Sequence, residues 1–385
     1  MKKILLVTTR YPYPAFGGDK NRFIGIAKSL ADKNQVDIVC FSNKDHNEKN
    51  FNYFFNNIKI FKINIFVRIL YSFFFLLKRK PMQIGFYYSK KMQEYINNIG
   101  SNYNSIVFHG IRSAQYCPKL YKGKSVLEMT DLMSLNFKII SNAMPFYNFF
   151  KYIYIIESFL IKKYENYISD YFNKIILISK NDLNLSRNVR FKKKIIIVKS
   201  GVIFKEKIFK YNKKNFKIIF IGNIQYYPNK LACYNFSKRV LPILSKKIPN
   251  IEFHIIGKIN YFDKLILGLN KNIKIHGPID NINKILKYSI CGINNVNIGT
   301  GFQTKVLTYM SYGLPVLSVN NYETKNNFIN NKEILYYNDN DQLIKKILLL
   351  KNNKKISENI SINSIIAIKK KFDWKKNTIK YTNLI

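Results

Sequence analysis

The stretch Asn297–Leu317, NIGTGFQTKVLTYMSYGLPVL, decides how the rest of the chain is parsed. An apolar strand ends near Asn294, a loop carrying Gly299 and Gly301 follows, and a helix then shows Val306, Leu307 and Met310 on its apolar face. Gly313 followed by Pro315 stops that helix. Glycines ahead of a helix let backbone N–H groups come close to a ligand. A helix start offers unpaired N–H groups and partial positive charge, which suit a diphosphate. Lys305, in the first turn, adds a mobile cation beside those amides. Taken alone, these residues are read more plainly as a routine strand-to-helix turn with glycine for geometry only.

Working outward, short apolar runs alternate with helical patterns over the whole chain. In the first half the strand candidates are Ile4–Thr8, Val36–Phe41, Ile106–His109, Ser125–Glu128 and Lys174–Ser179. In the second they are Lys217–Gly222, Glu252–Gly257, Ile273–Gly277, Ile290–Asn294 and Pro315–Val319. Many lack alternation and are rich in Ile and Val, as parallel strands covered on both faces are. Helical patterns such as Asn229–Leu241 and Asp341–Leu350 lie between them. The expected class is therefore α/β, with two Rossmann-like doubly wound domains facing each other across a cleft. A boundary is expected near residues 200–216, where Ser200-Gly201 precedes a lysine-rich run. Ligands of open α/β sheets bind at strand C-termini, where the strand order reverses.

The chain has 385 residues, 47% of them hydrophobic, so two ordinary domains with real cores fit, and a disordered or collagen-like chain does not. Lys and Arg number 64 against 22 Asp and Glu, a formal charge of +42. Only eight are Arg, at positions 10, 22, 68, 79, 112, 187, 190 and 239. A nucleic-acid reader would lean on Arg for bidentate contacts, and the lysines are spread along the chain, so nucleic acid is not the expected partner. A membrane surface or a phosphorylated substrate fits the charge as well. Cys40, Cys117, Cys233 and Cys291 show no paired spacing, which suggests neither zinc nor disulfides and fits a reducing cytoplasm. The apolar run Ile4–Val7 is too short for a signal peptide, and Ile65–Leu77 falls short of the ~20 residues needed to span a bilayer.

The stretch at 297–317 resembles the signature of retaining family-4 glycosyltransferases of the GT-B fold, bacterial cell-surface polysaccharide enzymes whose glycine- and aromatic-containing loop precedes a K-V-L-E-A-M-A-x-G-x-P-V helix. Lys305, Val306, Leu307, Met310, Gly313, Pro315 and Val316 match it. Pro12–Arg22 with Gly17 and Gly18 resembles the family's N-terminal glycine loop, and His109 ends a strand as in its D-x-x-x-x-H pattern. Tyr164-Glu165, Val198–Gly201, Phe220–Gly222, Pro228-Asn229, Phe253–Gly257, His276-Gly277 and Phe372–Trp374 follow in the family's order.

The resemblance implies an acceptor-binding domain over 1–200 and a nucleotide-sugar-binding domain over 201–371, with a helix over about 372–385 packing back on the first. It implies transfer from a nucleotide-diphosphate sugar, as co-substrate, to a glycan or lipid-linked acceptor, with retained configuration and neither metal nor cofactor. The donor would meet Gly17, Gly18, Gly299, Thr300, Gly301, Phe302, Gln303, Thr304 and Thr308, and Lys305, as a catalytic residue, would steady the departing diphosphate with the amides of Gly301, Phe302 and Gln303. His109 and Asp131 would face the transferred sugar as catalytic residues, and Pro278 and Ile279 would contact the base. The protein is then expected in the cytoplasm, peripheral at the inner face of the plasma membrane.

One departure stands out: Thr300 and Thr308 occupy the positions of the family's two glutamates, the second of which grips the ribose. Thr is shorter and uncharged, so ribose would be held less strongly or through water, and a catalytically silent relative stands as an alternative; a sugar-nucleotide epimerase of the same shape is a further one. His109 also reads as a core or capping histidine, and Asp131 as a helix cap. His46, His254 and His276 lack a partner pattern and read as structural. Two basic, aromatic-rich stretches, Lys59–Lys80 and Phe146–Lys163, read either as buried helices with solvated lysine ends or as segments lying on an anionic membrane.

Overall fold

The computed structural model describes residues 1–14, 17–43, 54–186, 189–279, 281–299 and 301–385. The expectation for His46 lies outside these residues, as does that for Thr300. The chain forms two compact units. The first comprises Met1–Tyr13, Asp19–Ser200 and Trp374–Ile385, and the second Pro14–Gly18 and Gly201–Asp373.

The first unit is built on β1 (Lys3–Thr8), β2 (Gln35–Phe41), β3 (Asn57–Phe61), β4 (Ser105–His109), β5 (Lys124–Thr130), β6 (Lys174–Leu177) and β7 (Ile195–Ile197). They pair in the order β3-β2-β1-β4-β5-β6-β7, all parallel. The second unit has β8 (Lys217–Ile221), β9 (Glu252–Ile256), β10 (Ile273–Gly277), β11 (Ser289–Asn294), β12 (Val316–Val319) and β13 (Leu335–Tyr337). Their order is β10-β9-β8-β11-β12-β13, again parallel throughout. Each sheet reverses direction once, between β1 and β4 in the first and between β8 and β11 in the second. Those two points are where a doubly wound sheet takes its ligand.

Helices connect the strands. The first unit carries α1 (Gly18–Ala31), α2 (Ile65–Leu77), α3 (Met82–Gly85), α4 (Lys90–Ile99), α5 (Met133–Ala143), α6 (Phe149–Ile168) and α7 (Asn181–Leu185). The second carries α8 (Tyr227–Asn235), α9 (Leu241–Lys247), α10 (Tyr261–Gly268), α11 (Asn283–Leu286), α12 (Thr304–Ser311), α13 (Tyr322–Lys325), α14 (Asn340–Asn352) and α15 (Lys354–Lys371). The final helix, α16 (Trp374–Thr382), returns to the first unit. The pattern expected over Asn229–Leu241 runs further, because a π-turn at Phe236–Val240 lets Pro242 enter the first turn of α9, where it needs no N–H partner.

The central strands of both sheets are buried on both faces, as their Ile- and Val-rich sequences require, while the edges β3, β7 and β10 are mostly half-buried or exposed. Leu5, Val7, Phe108 and Leu127 centre the first core, and Phe220, Phe253, Ile293 and Leu317 the second. All four cysteines are free and buried. Among the described residues no helix is long and apolar enough to cross a membrane.

A buried ion pair fixes the first unit at its centre. Arg22, one turn into α1, places Nε 2.9 Å from Glu128 Oε1 and Nη2 3.2 Å from Glu128 Oε2, with both side chains excluded from water. The guanidinium also donates to Val198 O at 2.9 Å and Ser200 Oγ at 3.3 Å, which ties down the chain leaving the sheet. Beside it, Gly25 of α1 meets the last helix, where a Cβ would lie 2.3 Å from Trp374 Cε2. Glu128→Gln leaves the guanidinium charge uncompensated, and we expect a loss of about 3–5 kcal/mol by urea unfolding. The double change Arg22→Met with Glu128→Leu should recover part of that loss; a single variant as stable as wild type would remove the pair from this role.

Candidate functional site

The second unit's reversal point is organised around the start of α12. Gly299 has φ +126°, a conformation open to glycine, and Phe302 is buried in an aromatic cluster with Phe372 and Phe328, at centroid separations of 5.3 and 6.4 Å. Gly301 lies between these two anchors, half-buried. Gln303 is the cap residue, and its side chain makes no hydrogen bond to the first turn. The Val306 N–H donates to Gln303 O at 3.0 Å, so the N–H groups of Thr304 and Lys305 precede the helical ladder. Gly17 (φ +87°) and Gly18 group with this unit, and a Cβ on Gly18 would stand 2.5 Å from Thr304 Oγ1. Thr308 Oγ1 donates to Thr304 O at 3.3 Å, which keeps that hydroxyl within its own helix.

Lys305 differs from the mobile cation expected of it. Its side chain is buried at 7% exposure, Nζ donates to Asn229 Oδ1 at 2.8 Å, and the ammonium lies 3.9 Å from the centroid of Phe220. Asn229, in the first turn of α8, is oriented by its own bond from Nδ2 to Asn223 O at 2.9 Å. Burial lowers the Lys305 ammonium to about 7, so the group is poised between charged and neutral near neutral pH. An anion arriving at the first turn would favour its charged form.

Tyr309 sets the height of α12 above the sheet. Its hydroxyl accepts from the Ile221 N–H at 2.7 Å and donates to Ile293 O at 3.2 Å, bridging β8 and β11 where they diverge. Gly292 makes room, since a Cβ there would lie 2.4 Å from the Tyr309 ring. Pro278 and Ile279 follow β10, the first exposed and the second half-buried. Pro278 has no N–H, so a backbone donor there must come from Ile279.

In the first unit, His109 ends β4 beside Thr8 at the end of β1. Its Nε2 lies 2.9 Å from Asp19 Oδ1, and its ring meets the Phe23 ring edge-on at 5.2 Å. Burial pushes the Asp19 carboxyl up, but His109, Arg10 and Arg112 outweigh it and hold the group well below the usual carboxylate range. Arg112 is held by Gln83 Oε1 through Nε at 3.1 Å and Nη2 at 2.8 Å. Arg10 and Arg112 likewise hold the Tyr87 hydroxyl below its ordinary value against its burial. This rim of two guanidinium groups around Asp19 and His109 was absent from the expected site.

Asp131 does not cap α5, whose cap residue is Leu132 with no side-chain hydrogen bond. Its Oδ1 is buried without a partner. Burial, with Asp182 adding to it, raises this carboxyl to about 7. Thr130 immediately before it has φ +66°, a strained conformation for a β-branched residue. The strain falls where β5 slips register against β6, and it turns the chain toward Asp131. His254 and His276, which read as structural in the sequence, bond to each other, with Nδ1 of the first 2.8 Å from Nε2 of the second, and His254 Nε2 meets Glu252 Oε2 at 2.8 Å. Among the described residues no group of three or more His, Cys, Asp or Glu is placed to hold a metal ion.

With this geometry in place, comparison with known proteins is informative. Residues 215–353 match the family of glycosyl transferases group 1. The matched segment runs from the start of the second unit's sheet to the end of α14 and so contains α8 and α12. No curated protein sequence matches the chain.

Solved structures resemble the chain over its full length and are GT-B glycosyltransferases in architecture. Anabaena HepE, solved with UDP and glucose, is 11% identical with TM-score 0.68, covering 100% of this chain and 99% of that one. Staphylococcus aureus TarM, in a complex containing α-GlcNAc-glycerol and UDP, is 12% identical with TM-score 0.71, covering 100% and 99%. Sucrose-phosphate synthase from Thermosynechococcus elongatus is 13% identical with TM-score 0.69, covering 100% and 98%. At these identities the likeness establishes the fold.

Two predictions follow from the packing. Tyr309→Phe leaves the Ile221 N–H and Ile293 O buried without partners, which should cost about 1–3 kcal/mol in urea unfolding; a neutral result would remove the bridging role. Asp131 releases its proton near 7 when folded but near 4 when unfolded. The folded chain therefore binds more protons between those values, and this group's contribution falls as pH rises from about 4 to 7. Asp131→Asn should gain stability relative to wild type from pH 5 to pH 8, and a constant difference would overturn the assignment.

Proposed function

We propose that the chain is a glycosyltransferase that moves a sugar from a nucleoside-diphosphate sugar to a glycan acceptor, with retained anomeric configuration and without a metal ion. The observation that carries this reading is that the family match covers the second unit's reversal point, where the first turn of α12 and Lys305 offer donors to an anion. HepE and TarM, solved with UDP, support a uridine donor.

In the reaction, the bond between the anomeric carbon and the diphosphate oxygen breaks, and a bond from the acceptor hydroxyl oxygen forms on the same face. The acceptor proton is lost and the nucleoside diphosphate departs with the bonding pair. Negative charge thus grows on the diphosphate. In this reading the N–H groups from Gly301 to Lys305 and the Lys305 ammonium take up that charge, work otherwise suited to a cation. Gly17 and Gly18 admit the phosphates, Gly299 and Thr300 shape the loop, and Pro278 and Ile279 meet the base. His109, oriented by Asp19, and Asp131 face the transferred sugar. The acceptor is lipid-linked, and the product belongs to a cell-surface polysaccharide assembled at the inner face of the plasma membrane.

A second reading draws on Thr308. Its hydroxyl is engaged by Thr304 O, so ribose loses the grip a carboxylate would give, and a silent relative would bind a nucleotide without turning over.

Nucleotide release from a panel of uridine and guanosine diphosphate sugars, with and without lipid-linked acceptor, tests both readings. We expect acceptor-dependent release that persists in EDTA. Lys305→Ala should lower kcat/KM about a hundredfold, the scale of a lost transition-state donor, while His254→Ala stays within about twofold. UDP binding without release by folded protein would favour the silent relative, and release without a glycoside product an epimerase. Equal effects of the two substitutions would remove the site assignment.

A further inference from the structure

We infer that α2 and the first half of α6 form one docking surface for an anionic lipid bilayer, lying in the plane of its headgroups. The inference identifies the surface that the proposed lipid-linked acceptor calls for, yet it rests on the helices themselves.

The sequence of α2, IFVRILYSFFFLL, is apolar almost all round, and such a helix is ordinarily buried. Here no residue of α2 is buried. Its inner side is taken up by aromatic and cation–π contacts, Arg68 over Phe86 at 5.5 Å and Tyr71 against Tyr88 at 5.0 Å. The opposite face, Phe66, Leu70, Phe73 and Leu77 at helical spacing, is exposed, with Phe66 at 72% and Leu77 at 84%. On α6, Phe149, Tyr152, Ile156 and Phe159 form a second exposed row. Both helices are joined through α3. Glu157 of α6 accepts from the Met82 N–H at 2.7 Å and the Gln83 N–H at 3.1 Å, and a Cβ on Gly85 would meet Tyr71 O of α2 at 2.5 Å. Scattered exposed apolar side chains are ordinary on a protein surface, but two contiguous rows call for a partner.

Charge selects the partner. Residues 59–90 contain no Asp or Glu, and residues 132–163 contain only Glu157, which is buried under α3. The apolar rows are bracketed by exposed Lys59, Lys62, Lys78, Lys80, Lys162 and Lys163. A second copy of the chain would bring the same lysines against these and a net charge of +42 against +42, whereas anionic headgroups attract and neutralise them. Length sets the mode. Thirteen residues of α2 span about 20 Å at the helical rise, less than the ~30 Å of a hydrocarbon core, so the helix lies on the bilayer with its apolar face down and its lysines at the headgroups.

The test is co-sedimentation of the full chain with vesicles of phosphatidylcholine alone and of phosphatidylcholine with about a third phosphatidylglycerol. We expect binding to the anionic vesicles at least ten times tighter than to the neutral ones. The uncharged double substitution Leu70→Asn with Phe73→Gln should weaken anionic binding at least tenfold, and Phe149→Gln with Ile156→Gln should do likewise. All four side chains are exposed, so the variants keep the fold, checked by an unchanged urea midpoint. Wild type indifferent to anionic vesicles, or variants that bind as wild type does, would overturn the inference. So would a wild-type dimer in sedimentation velocity that these substitutions dissolve, since a second copy would then be the occupant. Nucleotide release on a water-soluble acceptor, measured in parallel, separates loss of this surface from failure of the transferase reading.

Discussion

The first unit depends on a charge that has nowhere else to go. Arg22 is buried without access to water, so α1 can dock on its sheet only where Glu128 meets the guanidinium with both oxygens. That register has consequences at both ends. Three residues before Arg22, Asp19 is carried to His109; on the strand side, Glu128 pairs directly with His109 across β5 and β4. Val198 O and Ser200 Oγ also accept from the guanidinium, as does the Tyr381 hydroxyl of the last helix, so the chain's exit toward the second unit is set by the same group. Position of the helix, orientation of the histidine and path of the chain are thus one constraint.

The second unit solves the equivalent problem with a neutral group. Where β8 and β11 part, an unpaired N–H and an unpaired C=O would be left in the core, and the Tyr309 hydroxyl satisfies both. The ring needs the space of a missing side chain, which Gly292 supplies. Tyr309 stands where the resembling signature has alanine, and the larger side chain is accommodated by the glycine at 292. On the same helix Lys305 is buried against Phe220, with its ammonium on Asn229. The lowered affinity of that ammonium for its proton is therefore a consequence of packing, built into the fold before any anion arrives.

How much of this was legible in the sequence follows from physical distinctions among the elements. Ten strands announce themselves as short apolar runs, many of them rich in Ile and Val and most of them buried, β10 being the one sheet edge among them. The three that do not, β3, β7 and β13, are sheet edges. NIKIF in β3 puts a lysine on its open side, and β7 and β13 have only three residues each, too few to show a period. The α12 turn was visible from Gly299, Gly313 and Pro315, but the burial of Lys305 was not, since its partner Asn229 lies 76 residues away. Asp19 escaped notice because its meaning comes from a histidine on another strand. Arginine could have given it away. In a chain where lysine is the default surface residue, Arg10, Arg22, Arg68 and Arg112 gather at the first unit's strand ends and their supporting helices, around His109, Glu128 and Tyr87.

That asymmetry also explains why the net charge taken whole is a poor guide. A lysine tail is flexible and strongly hydrated, so lysines spread over a surface add field without geometry, whereas a guanidinium is rigid and desolvates more readily. The chain uses the two accordingly. The Arg22, Arg68 and Arg112 guanidinium groups are buried or half-buried, where Glu128, aromatic faces and Gln83 fix them, whereas Arg10, Arg79, Arg190 and Arg239 are exposed and ammonium groups frame the outward faces of α2 and α6. Lys305 departs from this division as an ammonium buried at 7% exposure. A buried ammonium is costly unless it is paired, and here its partners are the neutral Asn229 amide and the face of Phe220. Neither brings a negative charge, so burial leaves the ammonium holding its proton less tightly than a surface lysine does, down to about 7.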